Sequence, residues 1–232
     1  MVHSFLMIGQ SNMAGRGALN VAPEIDTTHV KMLRNGYWVN MFRPVNPDRR
    51  FSGTSLAESF AEKYAKVHGV DVGLIPCADG GTCLDQWQEG SILFDHACYM
   101  AELASRNSEI KGILWHQGES DCPDDKYPFY EVKLFLMIDA FRKKPYLKDI
   151  PFIVGGLGEY LMTMNENPVY QNAGHINRAL QNIAATKKMV SYVSPEGLTS
   201  NPDNLHFNAK SLYEFGLRYF EGYEKYEKYV IK

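Results

Sequence analysis

Ser11, Asp203 and His206 are the side chains of this sequence whose types and spacing best suit acyl-transfer chemistry. A serine hydroxyl is a weak nucleophile until a neighbouring base takes its proton, and histidine, titrating at about 6.5 when unperturbed, suits that task at neutral pH. In Asp203-Asn204-Leu205-His206 the carboxylate and imidazole stand three residues apart and can meet on one turn. The carboxylate then fixes one ring nitrogen and leaves the other as a base. Each part alone has a plainer meaning: Ser11 fits an N-cap between the turn formers Gln10 and Asn12, and an Asp-x-x-His before a helix fits a cap beside a solvated histidine. Taken together they suggest a nucleophile, a base and an acid that orients it.

These groups need rigid elements behind them. Ser11 follows Phe5-Leu6-Met7-Ile8, an apolar run that reads as a buried first strand broken at Gly9. A serine there lies at a strand's carboxyl end, where open α/β sheets bind ligands. Two later strands end the same way. Val70 to Pro76 runs into Cys77-Ala78-Asp79-Gly80-Gly81-Thr82, and Ile110 to Trp115 into His116-Gln117-Gly118-Glu119-Ser120-Asp121. Pro151 to Val154 reads as a fourth strand and Met189 to Val193 as a fifth. Between them, helical spacing covers Ser55 to Gly69, Ile92 to Arg106, Tyr127 to Lys144 and residues 170 to 188, with a last helix from about Ala209 to Lys228. The Ser55 helix opens on a capping box with Glu58 and closes on Gly69. This alternation predicts an α/β fold, a parallel sheet wrapped by helices, as a single domain over 1–232. Residues 18–54, with Pro23, Pro44 and Pro47, read as a long irregular loop able to wall a pocket.

Composition narrows the function. With 45% apolar residues, 22% charged residues and a net charge of −3, the chain has no electrostatic pull toward nucleic acid or an anionic membrane. No apolar run is long enough to span a bilayer and no signal segment opens the sequence, so a cytoplasmic location is expected. Cys77, Cys83, Cys98 and Cys122 form no C-x-x-C pair and read as free thiols. His116, Glu119 and Asp121 have metal-ligand types, but without an H-E-x-x-H or thiolate cluster no metal or other cofactor is expected.

The blocks Gly9-Gln10-Ser11-Asn12-Met13, Gly80-Gly81-Thr82, His116-Gln117-Gly118-Glu119 and Asp203-x-x-His206 resemble, in order, those of the SGNH (GDSL-like) hydrolase superfamily. More narrowly they resemble its sialate O-acetylesterase-like branch, which includes the acetylxylan esterases of carbohydrate esterase family six. The resemblance runs over essentially the whole chain. It implies a flavodoxin-like three-layer α/β/α sandwich with a five-stranded sheet, and hydrolysis of acetyl esters on sugars. It also implies Ser11 as nucleophile, His206 as general base and then acid, and Asp203 as the group orienting His206. The oxyanion hole would be the Ser11 amide, the Gly81 amide and the Gln117 side chain, with Gly80 the other candidate glycine.

Gln10 and Glu119 are assigned to support or substrate contact, Glu119 by bonding neighbouring loop backbone and bracing Gln117. On this reading Gln117→Ala lowers turnover more than binding. The partner is a small acetylated sugar or oligosaccharide; oligomeric state is left open. Two rivals stand: a lipase or thioesterase of the same superfamily, which would need a long apolar groove, and a non-catalytic carbohydrate-binding module that kept the fold.

Overall fold

The computed structural model describes residues 1–230, with side chains through Tyr226; the last two residues of the expected domain lie outside the described residues. One seven-stranded sheet runs through it in the order β3-β2-β4-β1-β5-β6-β7. The strands are β1 (Val2–Gly9), β2 (Val30–Arg34), β3 (Tyr37–Asn40), β4 (Val72–Pro76), β5 (Ser108–His116), β6 (Phe152–Gly155) and β7 (Val190–Val193). All neighbours pair in parallel except β2 with β3. Strands β4-β1-β5-β6-β7 reproduce the flavodoxin-like order 2-1-3-4-5, whose switch point lies beside its first strand. Ser11 follows β1 directly, so the candidate nucleophile sits where the crossovers part and open a crevice.

The expected strand count was five, and the two additional strands come from residues 18–54. Asn35 and Gly36 both adopt positive φ, 49° and 83°, the geometry of a tight hairpin turn between β2 and β3. Val30 and Met32 are buried on the sheet, and β3 is an exposed edge. The prolines lie outside these strands, which is why a hairpin fits within a segment rich in them.

The helices are α1 (Ser11–Ala14), α2 (Leu56–His68), α3 (Ile92–Ser105), α4 (Tyr130–Arg142), α5 (Tyr160–Thr163), α6 (Ala173–Thr186) and α7 (Ala209–Val230). Helices α2 and α7 pack together on one face of the sheet; α3, α4 and α6 cover the other. The Ser55 capping box is formed and Gly69 closes α2 in the left-handed conformation, so this helix is bounded as its sequence predicts. Leu212, Phe215, Tyr219 and Tyr223 form the buried stripe of α7. Against them and α2, Phe5 on β1 makes edge contacts with Phe60, Tyr64 and Tyr223 at 4.7–5.3 Å between centroids. The strand carrying Ser11 is therefore held in the most densely aromatic part of the core.

Candidate active site

The turn after β1 is set by Gly9, at φ 128°. A Cβ there would lie 2.1 Å from the His116 carbonyl oxygen, to which the Gln10 amide donates at 2.9 Å. Only glycine allows β1 and β5 to stay this close at the point where α1 begins. Ser11 is then the first helical residue of α1, and its amide has no carbonyl one turn earlier to meet.

Asn12, next to it, ties this turn to the loop before α7. Its Oδ1 accepts the Phe207 amide at 3.0 Å, and its Nδ2 donates to Glu119 Oε1 at 2.5 Å and to the Leu205 carbonyl at 3.4 Å. These bonds bring the ends of the chain together. His206 Nε2 lies 3.0 Å from Ser11 Oγ, and His206 Nδ1 2.7 Å from Asp203 Oδ2. A carboxylate can only accept, so Nδ1 carries the proton and Nε2 is the end open to the serine hydroxyl. Asp203 Oδ1 also accepts the Leu205 and His206 amides at 2.9 and 3.0 Å. Burial acts to raise the Asp203 carboxyl pKa, but these bonds outweigh it and hold the group below its ordinary value.

Ser11, only 6% exposed, and His206 line a pocket of about 310 Å³ with Gln10, Gly81, Phe51 and Tyr170. The loop after β4 delivers Gly81. The Gly80 amide is committed to Asp48 Oδ2 at 2.8 Å, whereas the Gly81 amide makes no hydrogen bond within the described residues. Of the two glycines, Gly81 is thus the one with a donor for a ligand.

Asp48 and Arg16 form a bidentate pair, 2.9 and 2.7 Å, with side chains 4% and 5% exposed. A Cβ on Gly80 would meet Arg16 at 2.3 Å, so the pair is packed directly under this loop. Burial works to raise the Asp48 pKa; bonds from Arg16, Ser52 and Gly80 prevail and depress it. A depressed carboxylate stabilises the fold at pH above its unfolded value of about 3.9 and loses that contribution as pH falls through its lower folded value. Asp48→Asn should therefore lower Tm at pH 7 by on the order of 5–10 °C. In thermal melts its difference from wild type should shrink once the pH drops below about 3.9. A difference that stays constant on acidification would show that the charge is not what matters.

The side chains of the third block fall differently from their sequence reading. Gln117 is fully buried and does not line the pocket. Its Nε2 donates to the Thr82 carbonyl at 3.1 Å and to Asp121 Oδ2 at 2.5 Å, which accounts for both amide hydrogens, and its Oε1 has no partner. Both neighbours are pure acceptors, so the nitrogen must lie there. As an oxyanion donor Gln117 is therefore corrected: it braces the β4 and β5 loops.

Gln10 shows the converse. Its Oε1 accepts the Gly118 and Ser120 amides at 3.4 and 3.3 Å, contacts that require the oxygen to point inward, and this leaves its NH2 as the end available to the pocket it lines.

Glu119 lines the pocket but touches Asn12 rather than Gln117, and lies 3.6 Å from His116 Nε2. Burial acts to raise its pKa, and His116 and Asn12 hold it down instead. Asp121, not Glu119, supports Gln117. Among the described residues, no three metal-ligating side chains converge, and no helix is long and apolar enough to cross a membrane. A second cavity of about 310 Å³, lined by Cys77 and His96 among others, lies behind the β4 loop. Burial there pushes the Cys77 thiol well up, against any nucleophilic role.

The sheet has the flavodoxin-like order of an α/β sandwich, and Ser11, His206 and Asp203 meet across the carboxyl ends of its strands. The chain belongs to the family described as carbohydrate esterase, sialic acid-specific acetylesterase, whose model matches residues 1–225. Membership places it among the carboxylic ester hydrolases. It is 26% identical over 245 aligned residues to a probable carbohydrate esterase of Arabidopsis thaliana, covering 94% of this chain and 89% of that protein. An X-ray structure of an Arabidopsis thaliana protein is similar with a TM-score of 0.83, at 23% identity, covering 96% of this chain and 98% of the other. The crystal structure of NanS gives 0.74 at 15% identity, covering 98% of both chains. A carbohydrate acetylesterase from Xanthomonas citri gives 0.70 at 17% identity, covering 98% of this chain and 57% of the other. These structural likenesses speak to the fold.

Proposed function

We propose that this protein hydrolyses O-acetyl esters of carbohydrates through an acetyl-enzyme on Ser11. The observation that carries the reading is the 3.0 Å approach of His206 Nε2 to Ser11 Oγ, with Asp203 on the other ring nitrogen, at the floor of an open pocket. His206 takes the hydroxyl proton as Oγ bonds to the acetyl carbon, and the carbonyl electron pair moves onto its oxygen. On this reading three donors that belong to pocket-lining residues would serve that oxygen: the Ser11 amide, the Gly81 amide and the Gln10 NH2. On collapse the sugar oxygen leaves with the proton from His206. Water, deprotonated by the same imidazole, then attacks the acetyl-enzyme and releases acetate and free Ser11.

The pocket walls include the polar residues Arg49, Ser120 and Glu119, which suits an acetyl group on a polar body better than a long acyl chain. The test is acetate release from a panel of O-acetylated sugars, sialic and xylo-configured compounds included, beside esters of longer acids. Acetyl sugars should lead the ranking. A preference for long acyl esters would favour the lipase reading, and inactivity on every ester would favour a binding module. The reaction expected here takes place in water, with no partner macromolecule in any step.

A further inference from the structure

Resting on the esterase reading, we propose that Phe51 and Tyr170 form a sugar subsite in the lining of the Ser11 pocket, with Phe51 as the platform on which the apolar face of a pyranose ring stacks. Phe51 is 70% exposed, yet Ser52 and the residues that follow it into α2 are buried, and the ring lines the same pocket as Ser11. An isolated exposed aromatic needs no explanation; one fixed at the mouth of a polar pocket does. Its position is fixed from below and from the side. The Arg16 guanidinium, held by Asp48, lies 5.2 Å from the ring centroid and covers one face. Arg49, two residues earlier, donates to the Asp48 carbonyl, to Asp79 and to the Gly80 carbonyl at 2.7–2.9 Å. The segment that presents Phe51 is thus anchored to the loop that presents Gly81, and little rotamer freedom remains to be lost when a ligand covers the open face.

Tyr170 stands half-buried on the same pocket. Its hydroxyl has no protein partner within the described residues, which leaves the O–H available as a donor to a ligand. An aromatic face and a hydroxyl in the lining of one pocket are what a pyranose, apolar on its C–H face and polar at its rim, can use together. A pocket of about 310 Å³ has room for an acetyl group and part of one ring, which leaves the rest of the ring at the mouth beside Phe51.

The test measures acetate release from a mono-O-acetylated methyl pyranoside and from ethyl acetate, which has no ring to stack. The ratio of kcat/KM for the two esters is compared in wild type, Phe51→Ala, Phe51→Tyr and Tyr170→Phe. In Phe51→Ala the pyranoside-to-ethyl-acetate ratio should fall about tenfold, carried mainly by KM for the pyranoside, and Phe51→Tyr should restore most of it. Tyr170→Phe should lower the same ratio by a smaller factor. A ratio that Phe51→Ala leaves within about twofold of wild type overturns the subsite and leaves the esterase reading standing; a wild type that cleaves only ethyl acetate overturns the subsite together with the carbohydrate part of that reading. A wild type that cleaves neither ester overturns both.

Discussion

Ser11→Ala should release acetate from any acetylated sugar at least about 10⁴-fold more slowly than wild type, with no loss of thermal stability. The two halves of this expectation come from the same contacts. Among the described residues the Ser11 hydroxyl has a single hydrogen-bond partner, His206, so its removal takes away the proposed attacking atom and leaves the loop bonds of Asn12 untouched. The Ser11 carbonyl still accepts the Gly15 amide at 2.8 Å, and α1 remains closed. What persists is whatever the donors and the pocket contribute to attack by water. Parallel loss of Tm and activity would point to a structural serine; undiminished acetate release would remove it from the chemistry.

Gln10→Glu should lower kcat by about 10²–10³ with little change in KM. The substitution keeps the inward oxygen that accepts the Gly118 and Ser120 amides, and so keeps the turn. At the outer end it replaces an NH2 with a carboxylate oxygen, which on the proposed mechanism lies where negative charge develops on the substrate. The effect belongs to the transition state and therefore falls on kcat. It also carries a pH signature: the introduced carboxyl regains a donor hydrogen when protonated, so its rate relative to wild type should climb as pH falls toward the carboxylate range. Gln117→Ala provides the contrast. It strips partners from the buried Asp121 and from the Thr82 carbonyl, so melting temperature should fall while kcat per folded molecule changes less. Near-wild-type turnover in Gln10→Glu, with collapse in Gln117→Ala at unchanged stability, would return the donor role to Gln117.

This pair of glutamines marks the boundary of what the sequence alone could settle. That Ser11, Asp203 and His206 could act together was legible from residue type and from their places at a strand end and on one turn, and the structure brings all three within hydrogen-bond reach. The direction of a side-chain amide has no such local determinant. For Gln117 it is decided by the Thr82 carbonyl, 35 residues back, and by a carboxylate that burial raises in pKa against the bonds from Gln117 and Leu84. For Gln10 it is decided by two amides more than a hundred residues away. Glu119 follows the same rule, since its partner Asn12 is 107 residues distant.

The fold was legible where the sequence pattern was sustained, as in α2 and the five strands β4, β1, β5, β6 and β7. The hairpin of β2 and β3 did carry a local signal, the turn formers Asn35-Gly36 between two short apolar-rich runs, but those runs do not alternate and the flanking prolines gave the segment the composition of a loop. The pocket-walling role expected of 18–54 falls to its last residues, Arg49 and Phe51. The Gly80-Gly81 choice, open from sequence, turns on one tertiary bond from Asp48.

The central claim is a covalent acetyl-enzyme on Ser11, and the most direct measurement is to mix the protein with 4-nitrophenyl acetate, quench in acid within the first turnover and map the acetyl group by peptide mass spectrometry. The account predicts a mass gain of one acetyl group on the peptide containing Ser11, absent from the same peptide of Ser11→Ala and from an unreacted control. Turnover of the ester with no acetyl group on Ser11 at any quench time, or with the group on another side chain, would contradict it.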